Sequence, residues 1–206
     1  MAQYFHIHSD NPQMRLLKQA VEILQRGGLV AYPTDSSYAL GCHIGDKEAM
    51  ERIGRIRALD SDHNYTLVGR DISQLSQYFK MTNEQFRLIR ACTPGPYTFI
   101  LPSTREVPRR LQHPKRRTIG FRIPDNPIVQ GLLALLGEPI ISSTLILPGS
   151  DFPMGDPGEI REQLEHLVDV VIDGGHGGNQ PTTVVAWTGA SPEILREGRG
   201  DSTPFR

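Results

Sequence analysis

Only two cysteines, Cys42 and Cys92, occur in 206 residues. They are too few and too far apart for a disulfide framework or a metal-ligand spacing, and both read as buried small residues. No run approaches the roughly 18 apolar residues needed to cross a bilayer, so no membrane partner is expected. The N-terminus, MAQYFHIHSDN, lacks the basic-then-apolar order of a secretory signal, and a cytoplasmic protein is expected. Internal repeats, low-complexity tracts and a Walker loop are absent, as is a Gly-x-Gly-x-x-Gly between strand and helix. Gly174-Gly175-His176-Gly177-Gly178 follows a strand, but Pro181 and another strand come next, so it reads as a turn. His6 and His8 share a strand face, yet no carboxylate or cysteine nearby in sequence completes a metal site, and none is expected. His43, His63, His113, His166 and His176 are scattered and read as surface or turn residues. No nucleophile-elbow motif supports a Ser-His-Asp triad.

What is present suits one globular domain. Apolar residues make up 38% and charged residues 22%, and the length allows a full core. A single domain over residues 1–206 is expected, with its core at about 12–200. The net charge of -1 conceals an uneven distribution. Arg105, Arg109, Arg110, Lys115, Arg116, Arg117 and Arg122 stand against Glu106 alone. Asp151, Asp156, Glu159, Glu162, Glu165, Asp169 and Asp173 stand against Arg161 alone. The basic run reads either as a solvated loop or as a patch for an anionic partner.

Hydrophobic periodicity places the elements. YFHIH alternates as a strand. Asp10 or Asn11 is expected to cap a helix with Pro12 in its first turn, its stripe Leu17, Ala20, Val21 and Leu24, and its stop Gly27–Gly28. Leu29 to Tyr32 reads as a strand halted by Pro33. Asp46 caps a second helix, and Thr82 with Gln85 forms a capping box for a third. Strands follow at Thr98 to Leu101 and Thr118 to Ile123. Pro127 opens a helix stopped by Gly137, and Ile140 to Thr144 is a strand. Pro157 opens a helix through Ile160, Leu164 and Leu167, and three β segments (VDVVID, TTVVAW, EILRE) close the chain. Early alternation with late strands predicts an α/β (α+β) fold around a mixed, curved sheet.

Five features hold candidate chemistry. The segment Leu29 to Gly41 ends a buried strand at Pro33 and then groups Thr34, Asp35, Ser36, Ser37 and Tyr38. That is either an ordinary turn or the mouth of a ligand pocket. Arg55 and Arg57 converge on one anion only if their helix ends near Ile56, since residues two apart on a helix point about 200° apart. Otherwise they are a helix end favoured by the macrodipole. The turn Thr93 to Leu101, the strand end Gly120 to Pro124, and the hydroxyl group Ser142, Ser143 and Thr144 complete the set.

In this order the pieces resemble the YrdC-like family, which includes the threonylcarbamoyl-AMP synthases. The matching positions are Tyr32 to Gly41, Arg55 and Arg57, Pro94 to Thr98, Arg122 to Pro124, Ser143 to Leu145, Thr182 to Val184, and Arg196 to Gly198. With the segment Asn64 to Leu67, they are most similar to the YciO branch. The resemblance implies a twisted mixed sheet with flanking helices and a concave basic face that meets RNA, either tRNA or double-stranded RNA. It also implies ATP with magnesium, no tightly bound cofactor, and a threonine-like small ligand beside the adenine nucleotide. Carried over by position, Arg55, Arg57 and Ser143 are the catalytic candidates. Thr34, Arg122, Ser143 and Thr182 would hold the amino-acid part, and Arg57, Thr118 and Arg196 the nucleotide. A guanidinium fork suits carboxylate and phosphate. The RNA candidates are Arg109, Arg110, Lys115, Arg116 and Arg117.

The chain departs from the family pattern at four places. Arg55 stands for lysine, Leu145 for asparagine, Ala39 for glycine, and Thr66-Leu67 for Pro-Leu. A lost hydrogen bond to a charged group costs about 1.5–3 kcal/mol, roughly 10- to 100-fold. Two readings follow. One is a YrdC-like domain that binds RNA and an adenine nucleotide without the synthase reaction. The other is an active synthase joining threonine, bicarbonate and ATP into threonylcarbamoyl-AMP and pyrophosphate. For the RNA face, alanine at Arg109, Arg110, Lys115, Arg116 and Arg117 together is expected to weaken RNA binding and flatten its salt dependence. Titration of an RNA duplex at several salt concentrations measures both, and unchanged affinity would remove this face.

Overall fold

A computed structural model describes residues 1–206 apart from Asp60, Ser61, Asp62 and Asn64. The Asn64 end of the segment noted above therefore lies outside the described residues. The strands are β1 (Gln3–His6), β2 (Val30–Pro33), β3 (Tyr38–His43), β4 (Thr66–Val68), β5 (Tyr97–Pro102), β6 (Thr118–Arg122), β7 (Ile140–Thr144), β8 (Val170–Asp173), β9 (Thr183–Ala186) and β10 (Glu193–Arg196). The helices are α1 (Met14–Gln25), α2 (Lys47–Arg57), the single turn α3 (Ile72–Leu75), α4 (Asn83–Cys92), α5 (Pro127–Leu136) and α6 (Pro157–Leu164).

Local chemistry accounts for most helix boundaries. The Asp46 carboxylate accepts from Ala49 N at 2.8 Å to start α2. At α4, Thr82 and Gln85 each accept from the other's backbone N–H, at 3.2 and 2.9 Å. Asn126 caps α5 ahead of Pro127, and Gly137 ends it at φ +78, where a left-handed turn favours glycine. The start of α1 corrects the expectation. Its N-cap is Gln13, with no side-chain cap bond. The Asp10 and Asn11 backbone N–H groups instead donate to His8 Nδ1, both at 3.2 Å, so this turn precedes the helix. Helix α6 ends at Leu164, and Leu167, expected on its stripe, is exposed.

The sheet order is β1-β8-β2-β3-β7-β4-β6-β5-β9-β10. Pairs β1/β8, β2/β8, β4/β6 and β5/β9 are parallel, and the other five are antiparallel. The mixed sheet is as the element order predicted. Strands β3 and β4 were not foreseen. Pro33 ends β2 and pairs with Tyr38, so the chain turns back in a hairpin over residues 34–37.

Alternation along the strands sends side chains to two different covers. Leu29, Ala31, Leu40, Leu67, Phe99, Phe121, Ile141 and Val171 join one core with Ile53 of α2, Leu75 of α3, Ile89 of α4 and Ile160 of α6. Val30, Tyr32, Ala39, Val68, Ile140 and Val170 join a second core with the stripes of α1 and α5. That second core takes nothing from β5, β6, β9 or β10. On that part of the sheet the corresponding positions are Thr98, Ile100, Gly120, Arg122 and Val184, which line a cavity instead. Cys42 is buried as expected, and burial pushes its thiol up to about 12, whereas Cys92, also expected to be buried, is only partly so. Among the described residues no helix is long and apolar enough to cross a membrane.

His6 does meet a carboxylate, which comes from β8: Asp173 Oδ2 lies 3.0 Å from His6 Nδ1 and accepts from the Tyr4 hydroxyl at 2.8 Å. Among the described residues, no three His, Cys, Asp or Glu side chains gather as metal ligands.

Replacing Thr82 with alanine removes the cap of α4, which leaves Gln85 N and one reciprocal bond unsupported. A stability loss of about 1 kcal/mol is expected from the shift in urea midpoint, with the slope unchanged.

Candidate functional site

The hairpin of residues 34–37 is both a turn and a wall. The Thr34 hydroxyl donates to Ser37 O at 2.6 Å and accepts from Ser36 N and Ser37 N at 3.1 and 3.2 Å. Its capacity is thus spent inside the turn, and it lies outside the cavity lining. Asp35 and Ser36 face Arg122. One terminal nitrogen of that guanidinium, Nη2, donates to Asp35 Oδ1 at 2.6 Å and to Ser36 Oγ at 3.1 Å. The other Asp35 oxygen accepts from Asp125 N at 2.9 Å, just beyond β6, and Arg199 donates to the Asp35 carbonyl. Both partners are buried, at 8% and 9% side-chain exposure. Arg122 Nε has no hydrogen-bond partner among the described residues.

The cavity has a volume of about 240 Å³. Arg57, Arg122, Arg196, Ser143 and Thr182 all line it, from five separated stretches of chain. Arg196 donates through Nε to Thr182 O at 3.0 Å and through Nη2 to Thr182 Oγ1 at 3.2 Å. Thr182 Oγ1 lies 2.8 Å from Thr98 Oγ1. Arg57 donates through Nε to Ile146 O at 3.1 Å and through Nη1 to Ser143 Oγ at 2.5 Å. Burial draws all three guanidiniums below the ordinary arginine value. The Arg122 charge adds to this at Arg196, and Asp35 opposes it at Arg122. That ordinary value is high enough to leave them cationic at neutral pH. Three cations therefore face a space lined by several hydroxyls and, among the described residues, by no carboxylate, an arrangement that attracts anions.

Small residues keep the floor open. Gly41, Ser142, Thr66, Gly120 and Ile100 pair in one row across β3, β7, β4, β6 and β5. A Cβ on Gly41 would lie 2.8 Å from the Tyr32 ring. Glycine there lets that ring cross to Ser142, with 2.6 Å between the hydroxyls. Ser142 in turn donates to Leu40 O at 3.0 Å, and burial pushes the Tyr32 phenol up to about 12.

Other sequence candidates fall elsewhere. Helix α2 continues through Arg57 to a left-handed cap at Ala58, so the expected convergence of Arg55 and Arg57 does not occur. Arg55 is exposed and outside the lining. Thr118 is buried and also outside the lining. Leu145 is fully buried in the core beneath β3 and β7, and it too stays out of the cavity. A Leu145→Asn change would therefore bury an amide among apolar neighbours rather than present it to a ligand.

Two residues have partners that the sequence did not indicate. Asp35 was grouped with the turn but not as the partner of Arg122. His63 was read as a surface or turn residue, yet it lines the cavity, with Nε2 3.2 Å from Ser143 Oγ. No signal in the sequence marks it, because the contact joins residues 80 positions apart.

The arginine-rich loop shapes a separate, open cavity of about 1420 Å³. Lys80, Arg105, Arg109, Arg116 and Arg117 line it against Glu106. His113 Nδ1 accepts from Lys115 N and Arg116 N, both at 3.2 Å, which folds the loop. Arg110 turns away and donates to Ile44 O and Gly45 O at 3.3 and 3.2 Å. Neither Arg110 nor Lys115 lines this cavity.

The ten-strand mixed sheet with a cationic, hydroxyl-lined cavity is the architecture of an established family. The chain belongs to the Sua5/YciO/YrdC family, described as telomere recombination, which matches residues 22–198. It is 58% identical to the uncharacterized protein YciO of Escherichia coli (strain K12) over 205 residues, all of both chains. The crystal structure of E. coli YciO superposes with a TM-score of 0.97 at 57% identity, covering all of both chains. A threonylcarbamoyl-AMP synthase of Vibrio vulnificus (strain YJ016) is 30% identical over 185 residues, 88% of this chain and 98% of that one. The crystal structure of P. abyssi Sua5 complexed with L-threonine matches with a TM-score of 0.86 at 26% identity, over 95% of this chain and 57% of that one.

Replacing Asp35 with alanine leaves Arg122 charged and buried without its counter-ion. A loss of about 3–5 kcal/mol is expected by urea unfolding, much more than for an exposed carboxylate. A loss under 1 kcal/mol would show that solvent reaches the guanidinium.

Proposed function

We propose that this protein binds an adenine nucleotide and a threonine-like amino acid in the 240 Å³ cavity, binds RNA along the arginine-rich loop, and does not run the threonylcarbamoyl-AMP synthase reaction. The observation that carries the small-molecule part is Arg122, a largely buried cation in the wall of this cavity. Arg57 and Arg196 line the same space. A cavity lined by three guanidiniums is matched by an anionic ligand. Carboxylate and phosphate both fit a guanidinium fork. The bound L-threonine of P. abyssi Sua5 supports the amino-acid part by homology.

The absence of synthase chemistry is supported by the placement of two residues. Arg55 projects from the far side of α2 and Leu145 is in the core, so the triphosphate side of the cavity relies on Arg57. Magnesium would arrive with ATP phosphates, since among the described residues no carboxylate lines the cavity. The active-synthase reading is favoured by one contact, the hydrogen bond from Arg57 to Ser143. The RNA part rests on five exposed cations, three of which, Arg109, Arg116 and Arg117, share one open cavity. Phosphate contacts of this kind position a nucleic acid without reading its sequence.

Purified protein is assayed with ATP, magnesium, bicarbonate and L-threonine for pyrophosphate, and in parallel by calorimetry for AMP and L-threonine binding. Both ligands are expected to bind, without threonine-dependent pyrophosphate release. Threonine-dependent release establishes the synthase reading and overturns the proposal; failure of both ligands to bind overturns the cavity assignment.

A further inference from the structure

The hydrogen bonds divide the cavity differently from the position-by-position expectation. Sequence resemblance put Ser143 with Arg122 and Thr182, and Arg196 with Arg57. In the structure Arg196 is bonded to Thr182 and lines the same cavity as Arg122. Ser143 is instead bonded to Arg57. Strand β4 begins at Thr66, paired with Ser142, so Ser143 lies one residue beyond the last β4 pair. There the chain leading into β4 brings His63 alongside, its ring edge-on to Tyr65 with centroids 5.4 Å apart. His63 Nε2 stands 3.2 Å from the same Ser143 oxygen that Arg57 Nη1 reaches at 2.5 Å.

We propose that His63 is a ligand-contacting residue, which with Arg57 and Ser143 receives a phosphate group of the bound nucleotide. This rests on the nucleotide reading above. A serine hydroxyl has one hydrogen and two acceptor lone pairs, and Arg57 occupies one lone pair. If His63 Nε2 is bare, it takes the serine hydrogen, and the serine offers nothing to a ligand. If Nε2 carries hydrogen, it donates to the second lone pair, and the serine hydrogen is released towards the cavity. Phosphate oxygens are acceptors only, so a bound phosphate selects the second arrangement. Ser143 then donates to the phosphate beside the N–H groups of Arg57 not spent on Ile146 O and Ser143 Oγ. Phosphate is favoured over carboxylate at this end because the site is a cluster of separate donors, whereas the Arg122–Arg196–Thr182 end remains for the carboxylate of the amino acid.

The test is titration of the full chain and its His63→Ala and His63→Gln variants with AMP, and separately with L-threonine. AMP is expected to bind His63→Ala about ten-fold more weakly. L-threonine is expected to be unaffected within two-fold, and His63→Gln, which keeps an N–H at similar reach, to recover most AMP affinity. In the unsubstituted chain, side-chain nitrogen NMR is expected to show His63 shifting to an Nε2-protonated signature with AMP and not with L-threonine. AMP affinity of His63→Ala within two-fold of the unsubstituted protein, or no His63 response to AMP, overturns the proposal while leaving the nucleotide reading standing. Binding of L-threonine without any AMP binding to the unsubstituted chain removes both.

Discussion

A buried ion pair between Arg122 and Asp35 joins the two parts of the molecule on which the cavity depends. Arg122 ends β6, and Asp35 sits in the turn between β2 and β3. Isolated burial of either charge would be strongly unfavourable. Each therefore holds the other in place, and the hairpin adds Ser36 Oγ while Asp125 N holds the second carboxylate oxygen. This arrangement satisfies Nη2 of the guanidinium. Its Nε is buried without a partner among the described residues, and the side chain belongs to the cavity wall.

The rest of the architecture keeps that wall accessible. One face of the sheet is covered by α2, α3, α4 and α6, and the other only partly, by α1 and α5. An apolar sheet left half covered would be a liability in water. Here the uncovered positions include Thr98, Gly120 and Arg122 beside Ile100 and Val184, and the open area becomes a largely polar site instead. Helix placement and side-chain polarity agree across β5, β6 and β9, which is the internal consistency expected of a functional surface. The open cavity at the arginine-rich loop is built differently, from exposed side chains on a loop rather than from strands. Positions there are set by local turns such as the His113 contacts to Lys115 and Arg116.

Membership of the Sua5/YciO/YrdC family fixes the scaffold, while the chemistry depends on a few positions. Arg57 and Ser143 are in contact as a phosphate- or oxyanion-handling pair would require. Leu145, two residues on in the sequence, has the strand parity of Ile141 and Ser143 and packs with Ile141 in the core, where its backbone is held by Tyr38 O and Met154 N. A polar side chain at that position would have to leave an apolar environment to meet a ligand. The binding frame and the catalytic groups can therefore diverge independently in one fold.

Periodicity and punctuation in the sequence determined the local elements: the stripe of α1, the caps at Asp46 and Thr82, and the Pro127–Gly137 limits of α5. These depend on interactions within four residues. The hairpin β2–β3 was missed because Pro33 reads as a stop, whereas it is tolerated at the strand end, paired with Tyr38. The ordered motifs, through family resemblance, brought Arg57, Arg122, Ser143, Thr182 and Arg196 to notice, and the structure gathers them in one cavity. Only the tertiary structure decided which of them touch. It kept the helix intact through Arg57, so that Arg55 and Arg57 point apart, and spent Thr34 inside its own turn. It also paired Asp35 with Arg122 across 87 residues and brought His63 to Ser143 across 80. Helix phase and strand parity are local properties, but which side chains share a hydrogen bond depends on sheet order. That order is set by burial of the two cores over the whole chain.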